Sequence, residues 1–142
     1  MKDLQIRAAR AEDAERISAL MSQLGYGVAA SDLRDRLRTR GDRREVLVAE
    51  TPGGILGWVA LSVDEPFVEG LEAELEGLVV EDEARSRGIG TQLLAAAEDW
   101  ARRHGCAKLR VHSNVVRERA HDFYQRHGYT TIKAQHNLHK RL

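Results

Sequence analysis

The sequence predicts a mixed α/β fold, an α+β arrangement with one sheet of antiparallel and parallel strands and helices packed on it. Two observations carry this. A turn signal, Pro52-Gly53-Gly54, lies between two strand-like runs, which reads as an antiparallel hairpin. Further along, strand-like and helix-period segments alternate, which requires crossover connections and parallel neighbours.

The elements follow in chain order. Residues 4–9 read as a short strand. Ile17, Leu20, Met21 and Leu24 then recur at i, i+3, i+4 and i+7, one apolar helical stripe ended by Gly25 and Gly27. Ser31 is placed as the N-cap of a short Arg-rich helix carrying Leu33 and Leu37, stopped at Gly41. Residues 45–50 and 55–63 are strands joined by a loop longer than two residues, and 64–70 is a polar loop. Residues 72–80 are the next strand. The strongest helix runs from Gly88 to His104, with Ile89, Leu93, Leu94, Ala97, Trp100 and Ala101 on one face. A strand at 108–112, a helix at 117–126 and a last strand at 129–138 complete the order β-α-α-β-β-β-α-β-α-β.

Bulk properties narrow the class. The 142 residues contain no linker or repeat, so residues 1–142 are expected to form a single domain. The 22 basic and 22 acidic residues cancel, and the basic surplus expected of a nucleic-acid binder is missing. One cysteine, Cys106, excludes an intramolecular disulfide and is expected to be a small buried residue. No signal-like apolar region opens the chain, and no run reaches the ~20 apolar residues of a membrane span. A cytoplasmic protein with no membrane partner is expected. The six histidines lack metal-ligand spacing, so no metal is expected.

The densest chemical signal is the strand–turn–helix around Leu78-Val79-Val80 and Arg85-Ser86-Arg87-Gly88-Ile89-Gly90-Thr91. A helix opening from a glycine loop presents unsatisfied N–H groups and a positive dipole end, which suits phosphate oxygens. The run lacks the Gly-Lys-Ser/Thr of a P-loop, and Leu93 stands where a dinucleotide fingerprint needs its third glycine. From the loop alone, a tight turn without ligand remains an equal reading.

Val79-Val80 followed by Arg85-x-x-Gly88-x-Gly90 resembles the acetyl-CoA signature of the GNAT superfamily of N-acetyltransferases. Asn114, Ala120, Phe123-Tyr124 and Gly128-Tyr129 resemble that family's next motif, and the order of elements resembles its fold. The resemblance implies that acetyl-CoA is the co-substrate, its pyrophosphate held by N–H groups from Arg87 to Thr91, including Gly88, Ile89 and Gly90. It implies that main-chain groups of Leu78 and Val80 hold the pantetheine arm, in a slot opened where the strands ending at Val80 and His112 splay apart. Asn114 would reach that arm or the following helix, Phe123 would pack near the cofactor, and Tyr124 would point at the thioester sulfur. A homodimer is a common assembly in the family.

Acetyl transfer to an amine needs a base, because such an amine has a pKa of about 10.4. It also needs a proton for the leaving thiolate. Tyr124 is the expected proton donor, against the alternative of a core aromatic bonded to backbone. Glu72, Glu74 and Glu76 alternate onto one strand face and are the base candidates, against the alternative of a solvated acidic face. Glu76 resembles the acidic position of polyamine acetyltransferases and Glu74 that of histone-type members. A straight strand would put Leu78 and Val80 on the glutamate face, so a β-bulge is expected at Gly77. The oxyanion contact is expected from a main-chain N–H near Leu78 or Val79.

The arginines at 34, 36, 38, 40, 43 and 44 read as a solvated helix face, or as a contact for the CoA 3′-phosphate or an acidic partner. Asp64, Glu65 and Glu69 extend the acidic stretch and favour a cationic acceptor. The expected acceptor is a small cationic amine, polyamine or aminoglycoside-like. A protein acetyltransferase acting on an N-terminus or lysine, and a non-catalytic acyl-CoA-binding domain, stand as alternatives.

Overall fold

The computed structural model describes residues 3–23, 25, 27–85, 87–112 and 118–142. By contact density the chain divides into two compact units, residues 1–112 and 113–142, and each is described by itself.

The first unit is built on a five-stranded sheet in the order β1 (Gln5–Ala8), β2 (Arg44–Thr51), β3 (Gly54–Asp64), β4 (Glu72–Val80) and β5 (Leu109–Val111). The first four strands pair antiparallel and β5 pairs parallel to β4, so the sheet is mixed as the order of elements predicts. Helices α1 (Ala14–Ser22) and α2 (Ala30–Arg38) cover one face. Their buried side chains Ile17, Leu20, Leu33 and Leu37 share a core with Val48, Trp58 and Val79. Helix α3 (Ile89–Arg103) covers the other face with the six apolar side chains that share its stripe. Gly57 lies directly beneath it: a Cβ there would be 3.1 Å from Leu93 and 3.5 Å from Ile89. Burying each such leucine or isoleucine contributes about 1.5–3 kcal/mol, which fixes α3 and hence the loop leading into it.

Two local expectations are corrected. The β2–β3 turn is two residues, Pro52-Gly53, with Thr51 paired to Gly54. The surplus residue is absorbed as a bulge inside the strand, where the register shifts between Ala49 and Glu50. Thr51 Oγ1 accepts from the Gly53 N–H at 3.2 Å, holding the short turn. Ser31 is not the N-cap of α2. The cap is Ala29, whose carbonyl accepts from Asp32 and Leu33, with no side-chain bond. Burial of both Leu33 and Leu37 sets the phase of α2, and that phase extends one turn position earlier than the serine.

The arginine-rich segment is largely a charge-paired surface. Arg34 meets Glu15, Arg40 meets Glu45 at 3.0 Å and Arg44 meets Asp64. A denser triad ties β1 to β2: Arg7 holds Asp13 through two nitrogens at 2.8 and 3.1 Å and Glu50 through two at 2.9 and 3.1 Å. Cys106 is buried, as expected, and burial pushes its thiol up from the usual value.

The second unit contains α4 (Glu118–Arg126), followed by a segment without regular structure. The strand expected at 129–138 is therefore not formed. Of its side chains, the large apolar Ile132 and Leu138 are 82% and 90% exposed. An extended segment with so little burial does not offset the cost of about 1–2 kcal/mol for ordering each residue's backbone.

Candidate active site

Strand β4 changes phase in its middle. Leu75 pairs with Leu61, but Gly77 pairs with Ala60, which leaves Glu76 without a partner on β3. This is the bulge expected at Gly77. Before it, Ala73 and Leu75 share the face of Val63 and Leu61, while Glu72 and Glu74 share that of Asp64 and Ser62. Beyond it, Leu78 and Val80 lie opposite Val59 and Gly57 on the α3 face. The bulge thus moves Leu78 and Val80 off the face that carries Glu72 and Glu74. Gly77 suits this point, because a Cβ would stand 3.2 and 3.3 Å from the ring edge of the buried Trp58 and would press the indole back.

The three glutamates differ in their surroundings. Glu72 accepts from Arg110 at 2.6 Å. Glu74 pairs with His112 through its Nδ1. Glu76 is exposed and its carboxylate has no hydrogen bond or ion pair among the described residues. The β4–β5 ladder spans only Ala73–Leu75 against Leu109–Val111, so beyond Leu75 β4 has no strand partner on its β5 edge among the described residues. His112 and Glu76 flank the point where the strands separate.

At the exit of β4 the chain turns through Glu81 and a short 3-10 segment, Asp82–Ala84. The Glu81 N–H donates to Leu56 O at 2.8 Å. Arg85 pairs with Asp82 at 2.7 Å across the turn, and Ala84 is buried beneath it. Gly88 then takes the left-handed conformation, φ 80°, as the cap of α3. An L side chain rarely adopts this conformation. Gly88 has no side chain to cap the helix, and no acidic residue lies in its first turn. The positive end of the α3 dipole thus has no carboxylate of its own first turn beside it. Ile89 is buried and anchors the turn from below, whereas Arg87, Gly88 and Thr91 are exposed. Leu78 and Val80 are half-buried, and Val79 is in the α1–α2 core.

In the second unit, Phe123 and Tyr124 sit on α4. Tyr124 makes edge contacts with Phe123 and Tyr129, with ring centroids 5.3 and 5.8 Å apart. Burial pushes its phenol up to about 12, so it keeps its proton throughout the neutral range. His127 stacks on Phe123 at 4.5 Å and bonds the Phe123 carbonyl through Nδ1 at 2.8 Å. Asn114 lies outside the described residues. Among the described residues, no group of His, Cys, Asp or Glu side chains could hold a metal ion. No helix of theirs is long and apolar enough to cross a membrane.

Sequence reasoning missed Arg16 and Gln23. Arg16 donates to Glu81 at 2.6 Å and to Ile55 O at 3.0 Å; Gln23 donates to Glu81 at 2.8 Å and accepts from the Asp82 N–H at 3.3 Å. These contacts join residues 39 to 65 positions apart, and no local period signals them. The parallel register that sets Arg110 and His112 beside the glutamates is not legible in the sequence.

The profile of the acetyltransferase (GNAT) family matches residues 7–129. The chain belongs to this family. It is an N-acetyltransferase and uses acetyl-CoA. Among curated relatives of this acetyltransferase, the aminoalkylphosphonate N-acetyltransferase of Salmonella typhimurium is 31% identical, over 88% of this chain and 84% of that enzyme. The aminoglycoside N(6')-acetyltransferase type 1 of Klebsiella aerogenes is 35% identical over 61% of this chain, a match spanning 60% of that enzyme's length. Among solved structures, the aminoglycoside N-acetyltransferase AAC(6')-Iy in complex with CoA superposes with a TM-score of 0.87 at 22% identity, covering 98% of this chain and 95% of that one. At that identity the likeness bears on the fold.

Proposed function

We propose that residues 1–142 act as one catalytic domain that acetylates a small cationic amine, polyamine or aminoglycoside-like. The observation that supports the placement of acetyl-CoA is the run from β4, which beyond Leu75 has no partner on its β5 edge among the described residues, into α3 through left-handed Gly88. N–H groups from Arg87 to Thr91 take the pyrophosphate, as helix N-termini do. Main-chain groups of Leu78 and Val80 bind the pantetheine arm in the manner of an added strand. A main-chain N–H near Leu78 or Val79 meets the thioester carbonyl oxygen. Arg85 acts through its pair with Asp82 by shaping the loop, and Asn114 and Phe123 line the arm.

Glu76 is the base in this reading. Its carboxylate has no hydrogen bond or ion pair among the described residues, which suits it to draw the ammonium proton directly or through water. Glu72 is paired with Arg110 and Glu74 is engaged by His112, so neither carboxylate is as open to an incoming amine. Tyr124 supplies the proton that the leaving sulfur requires, which its raised pKa favours. The aminoglycoside acetyltransferase relative supports a small, multiply charged acceptor, as do Glu65 and Glu69 in the loop before β4.

The test is acetyl-CoA-dependent product formation, read by mass spectrometry, across polyamines, aminoglycosides, aminoalkylphosphonates, amino acids and peptides. Product with the first two classes alone is the expected result. Product confined to peptides or to aminoalkylphosphonates would refute the cationic small-molecule acceptor.

A further inference from the structure

The geometry points to Arg16, Gln23 and Glu81 as positioning residues for acetyl-CoA, a clamp from α1 that fixes the backbone from which the phosphate-facing loop departs. This rests on the proposed placement of the pyrophosphate at the start of α3.

Glu81 is the residue immediately after β4, and both its carboxylate oxygens are held by α1. Arg16 takes Oε2 at 2.6 Å and Gln23 takes Oε1 at 2.8 Å. The same two side chains also grip main chain on either side. Arg16 Nε donates to Ile55 O at 3.0 Å, at the irregular end of β3, and Gln23 Oε1 accepts from the Asp82 N–H at 3.3 Å. The Glu81 N–H closes the ring on Leu56 O. The Gln23 amide and the Arg16 guanidinium together hold the Glu81 carboxyl below the usual carboxylate range.

The Arg16–Glu81 pair is part-buried, and ion pairs near the surface contribute modestly to stability. The position of the cluster gives it a different consequence. Between Glu81 and Gly88 the described residues form a 3-10 turn, Asp82–Ala84, and the ion pair Asp82–Arg85. The far end of the loop is anchored by the burial of Ile89 under α3. The near end has the clamp. With both ends fixed, the N–H groups between them converge before any anion arrives, and binding loses less ordering entropy. Released at Glu81, the loop must be ordered by the ligand.

The experiment uses the full chain and two acyl donors, acetyl-CoA and S-acetylpantetheine, which shares the thioester arm and lacks the pyrophosphate. Glu81→Ala is expected to raise the KM for acetyl-CoA about tenfold with kcat changed less than about threefold, a loss suited to misplaced charge-assisted hydrogen bonds. kcat/KM with S-acetylpantetheine is expected to stay within about twofold of wild type. Gln23→Ala, which removes the partner rather than the carboxylate, should show the same selective loss at about threefold, and Glu81→Gln should recover part of the affinity. A purely structural role would depress both donors together, and that result overturns the clamp. Unchanged acetyl-CoA KM in both Glu81→Ala and Gln23→Ala overturns it as well. A wild-type enzyme that does not distinguish the two donors would instead refute the pyrophosphate site, and the clamp with it.

Discussion

Trp58 and Gly77 are in contact across the β3–β4 ladder, the indole edge lying where a Cβ of residue 77 would sit 3.2 Å away. The indole is buried and belongs to the α1–α2 core, so it has little room to retreat. Gly77→Ala should therefore destabilise the protein by about 1–3 kcal/mol, the usual cost of overpacking. Denaturant unfolding would measure it. The double variant Trp58→Phe/Gly77→Ala should recover part of the loss, because the smaller ring withdraws the clashing atoms. A Gly77→Ala protein as stable as wild type would mean that the bulge does not depend on this contact.

The Arg7–Asp13–Glu50 triad makes a prediction about acid. Burial opposes ionisation of Asp13, but the Arg7 guanidinium and the Arg10 N–H, at 2.7 Å, together outweigh it and hold the carboxyl below its ordinary value. A carboxyl depressed in the folded state stabilises the fold above the unfolded pKa of about 3.9. That contribution declines as pH falls through the lower folded value. Asp13→Asn should cost about 2–4 kcal/mol at pH 7, where it leaves the half-buried Arg7 with one carboxylate fewer. The difference from wild type should begin to shrink below about pH 4, where the unfolded chain's aspartate takes up a proton, and should vanish only as pH falls through the lower folded value. Thermal unfolding from pH 3 to 7 would show whether the two curves converge.

Much of the site's frame is legible in the chain because it is local. The glutamate alternation and the glycine at 77 together announce a strand that must change phase, and β4 runs over the residues that the pattern marks, Glu72–Val80. The apolar stripe from Ile89 to Ala101 defines α3, and Gly88 defines where its N-terminus is exposed. What pairs over long separations is not legible. Glu81 reads as one more acidic loop residue until α1 is folded against the sheet. The segment after Tyr129 illustrates the opposite error: an alternation of Ile132, Ala134 and Leu138 suggests a strand, but a strand also requires a partner and a buried face, which local spacing does not supply.

The glutamates can be separated by their partners. Glu76→Gln removes an unpartnered carboxylate and is expected to lower kcat/KM about a hundredfold, the scale of a lost general base. Glu74→Gln leaves His112 without its partner but is expected to cost less than about tenfold. The acetyl-CoA KM should stay near wild type in both. Should Glu74→Gln prove the more damaging, the Glu74–His112 pair would be the base, and His112→Gln should then match it.

Tyr124 provides the most direct test of the second half of the reaction. Replacement by phenylalanine keeps the ring and its edge contacts with Phe123 and Tyr129 while deleting only the hydroxyl. If the phenol protonates the leaving thiolate, kcat should fall by about a hundredfold or more while acetyl-CoA binding is retained. The pH profile adds a second constraint. Desolvation pushes the phenol up to about 12, so loss of its proton should produce no alkaline decline until pH approaches that value. An alkaline limb below pH 10 that disappears in Tyr124→Phe would contradict both the buried phenol and the role assigned to it. The dependence on leaving group separates chemistry from packing. A donor whose thiolate is a better leaving group needs less proton assistance, so the Tyr124→Phe defect should narrow with an acyl-CoA analogue carrying a more acidic thiol. An equal defect with both donors would reduce Tyr124 to a packing residue of the α4 aromatic cluster.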